Sequence, residues 1–211
     1  LARIREHSIK GQPVPDSLFQ EAETAFKRTA TIFPDGHRVR VELGRLYAIW
    51  PGHAAEAEAA FRDAVAVATK RPRRARAAGA AISYARAAGN QELLRWAIEQ
   101  QVEATPDDLE AWSSLADLEE RREKGSGEAV YKRLLESKPD DIAAHLRYAG
   151  FLFGQKREQE AYAHLTAQAD AGVGAPLALD QVVAFQLRSN ELEAAHATYE
   201  RWIRAQGGDP D

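Results

Sequence analysis

The chain has 211 residues, a formal charge of −4, no cysteine and no methionine, and roughly a fifth of it is alanine, far above ordinary usage. These counts exclude disulfides, thiolate metal sites and cysteine nucleophiles, and the acidic balance argues against a general nucleic-acid or anionic-membrane binder. No uncharged apolar run is long enough for a transmembrane helix, and the opening Leu1-Ala2-Arg3-Ile4-Arg5-Glu6 reads as helix rather than as a signal peptide. The missing initial methionine points to a segment of a longer product or a removed leader, and either cytosol or periplasm suits a chain without thiols.

Alanine has the best helix propensity, so the elements are expected to be helices packed closely on one another. Their spacing is set by prolines. Pro34, Pro72, Pro106, Pro139, Pro176 and Pro210 stand 38, 34, 33, 37 and 34 residues apart. An interval of about 34 residues is that of stacked helix pairs, dividing the chain into units near 1–34, 35–72, 73–106, 107–139, 140–175 and 176–211 as one array.

In the first unit a short opening helix is followed by Ala22 and Phe26, a small-then-large step of four that places both on one helix face. The second carries Leu43-Gly44 and Tyr47 on one predicted helix and Ala57, Phe61 and Ala64 on the next. The small residues there allow close approach and the large ones fill the space between helices. The third is weakly patterned, with Leu94, Ile98 and Pro106 its best landmarks. Thr105-Pro106-Asp107-Asp108 opens the fourth, which continues through Trp112, Leu115 and Ala116, and Lys138-Pro139-Asp140-Asp141 opens the fifth. In both, the proline ends one helix and the aspartates complement the positive end of the next. Ala161-Leu165 and Ala195-Tyr199 repeat the step of four. The only two asparagines, Asn90 and Asn190, each mark the turn inside a pair.

These residues resemble the tetratricopeptide repeat family, whose helix A carries an aromatic, a Leu-Gly or Leu-Ala pair and a second aromatic, and whose helix B carries Ala, an aromatic and Ala before a closing proline. Leu43, Gly44, Tyr47, Ala57, Phe61 and Ala64 match in the second unit. Trp112, Leu115, Ala116, Tyr131 and Pro139 match in the fourth, and His145, Tyr148, Ala149, Ala161 and Leu165 in the fifth. Ala195, Tyr199 and Pro210 match in the last. The resemblance covers nearly the whole chain and implies an all-α, right-handed α-solenoid of about six helix pairs whose inner groove is lined by helices A.

Carried onto that groove, the resemblance places Arg38, Arg45, Arg76 and Arg86 at one end, Glu110, Asp117, Glu120 and Arg121 in the middle, and Leu146, Phe153, Leu177, Asp180 and Leu187 at the other. A peptide or partner helix could read such a gradient, with apolar anchors near Phe153. The family's carboxylate clamp is absent, because its Lys and Asn positions hold Val41, Arg45, Gly79 and Ser83. Lys70, Arg71, Arg73, Arg74 and Arg76 form a basic loop at a helix start, against the helix dipole, which points to an anionic partner. Trp202 and Ile203 close a last helix with no polar cap, so self-association or a further repeat is expected there.

Catalytic patterns are missing. The six histidines show no metal-binding spacing. Glu160 with His164, four apart, and Glu193 with His196, three apart, are acid–histidine pairs on helices B that read as solvated faces, and His145 reads as a packing residue at an aromatic position. Gly172-Val173-Gly174-Ala175-Pro176 lacks a phosphate-loop lysine, and Gly125-Ser126-Gly127 reads as a turn. The expectation is a non-catalytic scaffold without a cofactor or metal, binding a protein or peptide and no nucleic acid. The resemblance leaves a second role open: a regulatory or substrate-presenting segment of a larger enzyme or of an envelope or polysaccharide export assembly.

Overall fold

The computed structural model describes residues 2–9 and 13–205; Pro210 of the proline series lies outside them. Among the described residues there are twelve α-helices and no strand. They are α1 (Ala2–Ile9), α2 (Asp16–Ile32), α3 (His37–Ile49), α4 (Ala54–Ala66), α5 (Arg71–Ala88), α6 (Gln91–Ala104), α7 (Leu109–Arg122), α8 (Ser126–Ser137), α9 (Ile142–Gly154), α10 (Glu158–Asp170), α11 (Ala175–Arg188) and α12 (Leu192–Ala205). Two compact units result, Leu1–Ala111 and Trp112–Asp211, with the division in the first turn of α7.

Local chemistry fixes the helix starts. Asp108 accepts a hydrogen bond from the Ala111 amide at 3.1 Å, and Asp141 one from the Ala143 amide at 3.0 Å. Pro72 and Pro176 sit in the first turns of α5 and α11, where a missing N–H costs nothing.

The two asparagine turns are not equivalent. Gly89 takes the left-handed conformation (φ 67°), so Asn90 is free to cap α6, accepting from the Leu93 amide at 2.9 Å. Its amide nitrogen also donates to Glu58 of α4 at 2.7 Å. Asn190 is itself left-handed (φ 60°), a conformation asparagine tolerates better than most residues.

In the first unit α3 packs on α4 and α5 on α6, and α4 packs on α5 to join the pairs. Gly44 is required at its position. A Cβ there would come within 3.0 Å of the Phe61 ring, and Phe61 is 1% exposed. One core cluster gathers Ile4, Leu18, Phe19, Leu46, Tyr47, Trp50, Ala57 and Ala60, with Phe19 stacked on Trp50 at 5.1 Å. The next gathers Val41, Phe61, Ala64, Val65, Ala77, Ala78, Ala81 and Ala97. Half of that second cluster is alanine from α5 and α6, which explains the weak pattern of the third unit: helix α5 buries a smooth alanine face instead of alternating small and large residues. Tyr84 supplies the bulk, stacking on Phe61 at 5.0 Å and donating to the Ala54 carbonyl at 3.2 Å. In this pair the small residue of one helix, Gly44, is seated against the large residue of its partner, Phe61.

In the second unit α9 packs on α10, α10 on α11, and α11 on α12. Gly127 is the counterpart of Gly44: a Cβ would lie 2.7 Å from the Ala116 carbonyl oxygen. The expected Gly125-Ser126-Gly127 turn is shorter than read, because only Gly125 is left-handed (φ 92°) and Ser126 already begins α8. Phe153 of α9 stacks on Phe185 of α11 with ring centres 3.5 Å apart and meets Tyr162 of α10 edge-on. Tyr199, expected to fill a gap between helices, is instead 48% exposed and stacks on Trp202 of its own helix.

Candidate ligand cleft between α3 and α5

Helices α3 and α5 are consecutive helices A of the first unit, and they touch each other as well as α4. Between them lies a cleft of about 420 Å³ lined by His37, Arg38, Val41, Glu42 and Arg45 from α3 and by Arg76 and Ala80 from α5. The spacing is that of single helix faces: 38, 41 or 42, and 45 on one helix, 76 and 80 on the other. Val41 is buried and Ala80 half-buried, forming an apolar floor, while Arg38, Arg45 and Arg76 are exposed around it.

The charges are unevenly balanced. Arg45 is paired with Glu42 at 2.7 Å. Arg40, on another face of α3, is held by Asp63 of α4 at 2.5 Å and does not enter the cleft. Arg38, Arg73 and Arg76 form no ion pair with any described residue. Neither α3 nor α5 has an acidic residue in its first turn or a side-chain cap, so both positive helix ends are left uncompensated. Of the remaining basic-loop residues, Lys70 is the N-cap residue of α5, Arg71 and Arg73 are exposed in its first turn, and Arg74 approaches Glu103 only at 3.8 Å.

His37 lines the same cleft at 8% exposed, and its Nε2 is shielded from solvent with no hydrogen-bond partner. Burial, followed by the positive charges of Arg73, Arg38 and Arg76, holds its pKa below the ordinary 6.5. No motif or spacing in the chain singles out His37. Its only signal was its place at the start of helix A, beside Arg38.

Other expected groove residues fall elsewhere. Arg86 is exposed in the last turn of α5 and does not line the cleft. In the second unit Asp117 and Arg121 are exposed on α7, while the Glu120 carboxylate turns to the start of α8 and accepts from the Gly125 and Gly127 amides at 2.9 and 3.1 Å. Leu146 is half-buried, Leu187 is 53% and Leu177 45% exposed, and Asp180 is exposed. Phe153 is half-buried in its aromatic stack.

The acid–histidine pairs separate. Glu160 binds Arg157 at 2.7 Å, and His196 approaches Glu200 at 3.6 Å. His164 Nε2 lies 3.0 Å from His145 Nδ1, while His145 Nε2 lies 2.7 Å from the Pro139 carbonyl oxygen. A carbonyl only accepts, so His145 donates from Nε2 and accepts from His164 at Nδ1. Burial, then His145, lowers the His164 pKa to about 4. Among the described residues no three acids or histidines converge as a metal site would require, and no helix is long and apolar enough to cross a membrane.

No family model matches the chain, and no curated protein does. Several solved structures are similar to it. MamA shares 18% identity over 75% of this chain and 88% of its own, with a TM-score of 0.40. YrrB, described as a TPR protein with an unusual peptide-binding site, shares 15% over 87% and 93%, with a TM-score of 0.44. A tetratricopeptide repeat protein from Parabacteroides merdae shares 15% over 99% and 78%, with a TM-score of 0.41.

Proposed function

We propose that this chain, built of tetratricopeptide-type helix pairs, is a non-catalytic scaffold that binds a peptide segment or partner helix along its helices A. One observation carries the reading. Two consecutive helices A flank a solvent-open cleft of about 420 Å³ with an apolar floor and a basic rim, within the size range of ligand sites. An extended peptide laid there buries a small apolar side chain on Val41 and Ala80 and offers acidic groups to Arg38, Arg45 and Arg76. Arg71 and Arg73, exposed at the adjacent helix start, raise the encounter rate of acidic partners, an effect that weakens with salt.

The test is to pan a displayed random-peptide library on the immobilised full chain and measure the selected peptides against an Arg38→Glu/Arg76→Glu variant. Enriched acidic peptides that lose at least about tenfold in affinity to the variant are the expected result, given the charge reversal at two contacts. Failure to enrich any peptide, or equal binding by the variant, rejects the reading.

A further inference from the structure

Helix α12 carries two rows of side chains with packing character, and it buries only one of them. Ala195 and Thr198 are buried and Trp202 half-buried on the side packed on α11, and Arg201 reaches back to Asp170 of α10. About a quarter turn around the helix lie Leu192, His196, Tyr199 and Ile203, at steps of four, three and four residues, which is one helix face. Leu192 is 62% and Tyr199 48% exposed, His196 is exposed and Ile203 is half-buried. Helix α10 buries the matching face. Tyr162 stands there in the place of His196 and Leu165 in the place of Tyr199, at 7% and 0% exposed, and α11 packs on that helix. The face is therefore one that a helix can cover, and on α12 it stands largely open.

The row reads the same in both directions. Its steps are symmetric about the point between Ala197 and Thr198, with aliphatic Leu192 and Ile203 at the ends and the rings of His196 and Tyr199 inside. A two-fold contact needs that property, because each residue meets its counterpart position on the other copy. The charges beside the row obey the same symmetry. Glu193 lies in the first turn and Arg204 in the last, on one flank of the row. Both are exposed; Glu193 forms no ion pair with any described residue, and Arg204 pairs with Glu200 of its own helix at 3.3 Å.

We propose that this face of α12 docks a second copy of the chain, the two α12 helices packing antiparallel about a two-fold axis. Leu192 of each copy meets Ile203 of the other at the ends, and His196 packs beside Tyr199 of the other at the centre. Glu193 comes within a turn of Arg204 of the other copy, and the symmetry makes that pair twice. The antiparallel arrangement also sets the positive end of each helix beside the negative end of its partner. Four side chains from each copy make a small interface, so the dimer is weak and forms and parts with concentration. The inference is independent of the scaffold reading, which concerns helices of the first unit.

The experiment follows the mass of the full chain by analytical ultracentrifugation across a wide range of concentration. The wild type should pass from monomer to dimer and stop there. A mass that stays monomeric throughout, or that climbs past the dimer, overturns the proposal. Tyr199→Glu should hold the chain monomeric with its circular dichroism unchanged, and Leu192→Gln should weaken pairing, a check should the first variant lose helix. Full pairing by both overturns the face. Glu193→Arg and Arg204→Glu should each weaken pairing at least about fivefold, because each turns two attractive contacts into two repulsive ones. Mixing these two variants should restore pairing, since one copy then offers arginine at both ends of α12 and the other glutamate at both ends. A mixture that pairs no better than either variant alone overturns the antiparallel arrangement.

Discussion

His37 in the first unit and His145 in the second are buried alike, at 8% and 4% exposed, but their surroundings differ. Both His145 nitrogens are engaged, by the Pro139 carbonyl and by His164, and Tyr148 meets the His164 ring edge-on. His37 has an orphaned nitrogen and a field of arginines. One group of arginines in each unit shows the same difference. In the second, Arg157 joins Glu128 at 2.5 Å, and Tyr148 and Lys132 complete the ring around that carboxylate. In the first, Arg38, Arg73 and Arg76 stay open. Partner satisfaction, more than burial or residue type, separates a group that holds the fold from one placed to meet something else.

The largest expected effect lies in the core of the first unit. Phe61→Ala should cost roughly 3–5 kcal/mol by opening a cavity behind Gly44. Half-buried Phe153 in the second unit should cost about 1–2 kcal/mol on the same change, through loss of its aromatic stack. Chemical denaturation of the two variants compares them directly, and a reversed order would break the contrast. Next comes the histidine pair itself. His145→Ala strands the Pro139 carbonyl and the His164 N–H, so it should cost about 2–4 kcal/mol. His37→Leu removes a group that has no bond to lose at Nε2, so its effect should stay within about 0.5 kcal/mol. Matching losses at both positions would mean that His37 has a structural partner after all.

Acid should separate the units further. His164 keeps its proton off until about pH 4, whereas in the unfolded chain it titrates near 6.5. Above 6.5 both states are neutral there; as pH falls from 6.5 to 4 the unfolded state gains the proton and stability drops, by roughly 2–3 kcal/mol. Denaturation midpoints of the wild type and His164→Gln across that window should converge at its acid end. Glu128 behaves as a depressed carboxylate. Hydrogen bonds from Arg157 and then Lys132 hold its pKa at about 2, so its contribution is present above 4.5 and lost as pH falls toward 2. Glu128→Gln should cost about 1–2 kcal/mol at neutral pH, the range for hydrogen bonds to a charged group. The difference should vanish at pH 2.

Much of the fold was legible because its signals are local. The proline intervals, the aspartate caps at Asp108 and Asp141, and the Gly44–Phe61 pairing are each set by residues within a turn or a helix pair. The alanine face of α5 was hard to read because alanine carries no period contrast with its neighbours. The two asparagines looked interchangeable in sequence, but which residue turns left-handed depends on Gly89 preceding one and Ser189 the other. Site chemistry was less legible still. Arg38 and Arg40 are neighbours of the same type, and only the reach of Asp63 on another helix decides that Arg40 is spent and Arg38 is not. Glu120 looked free in sequence, yet the backbone of α8 claims it. The histidine pair joins residues 19 apart, and no spacing rule connects them.

The amide of Asn90 bears on how this protein would age. Its oxygen serves the α6 backbone and its nitrogen serves Glu58, so the two ends of one small group have different clients. Deamidation replaces that nitrogen with oxygen at no cost in volume. The cap on α6 would survive, but a carboxylate would now face the Glu58 carboxylate across 2.7 Å, turning a clasp between neighbouring helix pairs into a point of repulsion. Asn190, whose role is backbone shape, would tolerate the same chemical damage.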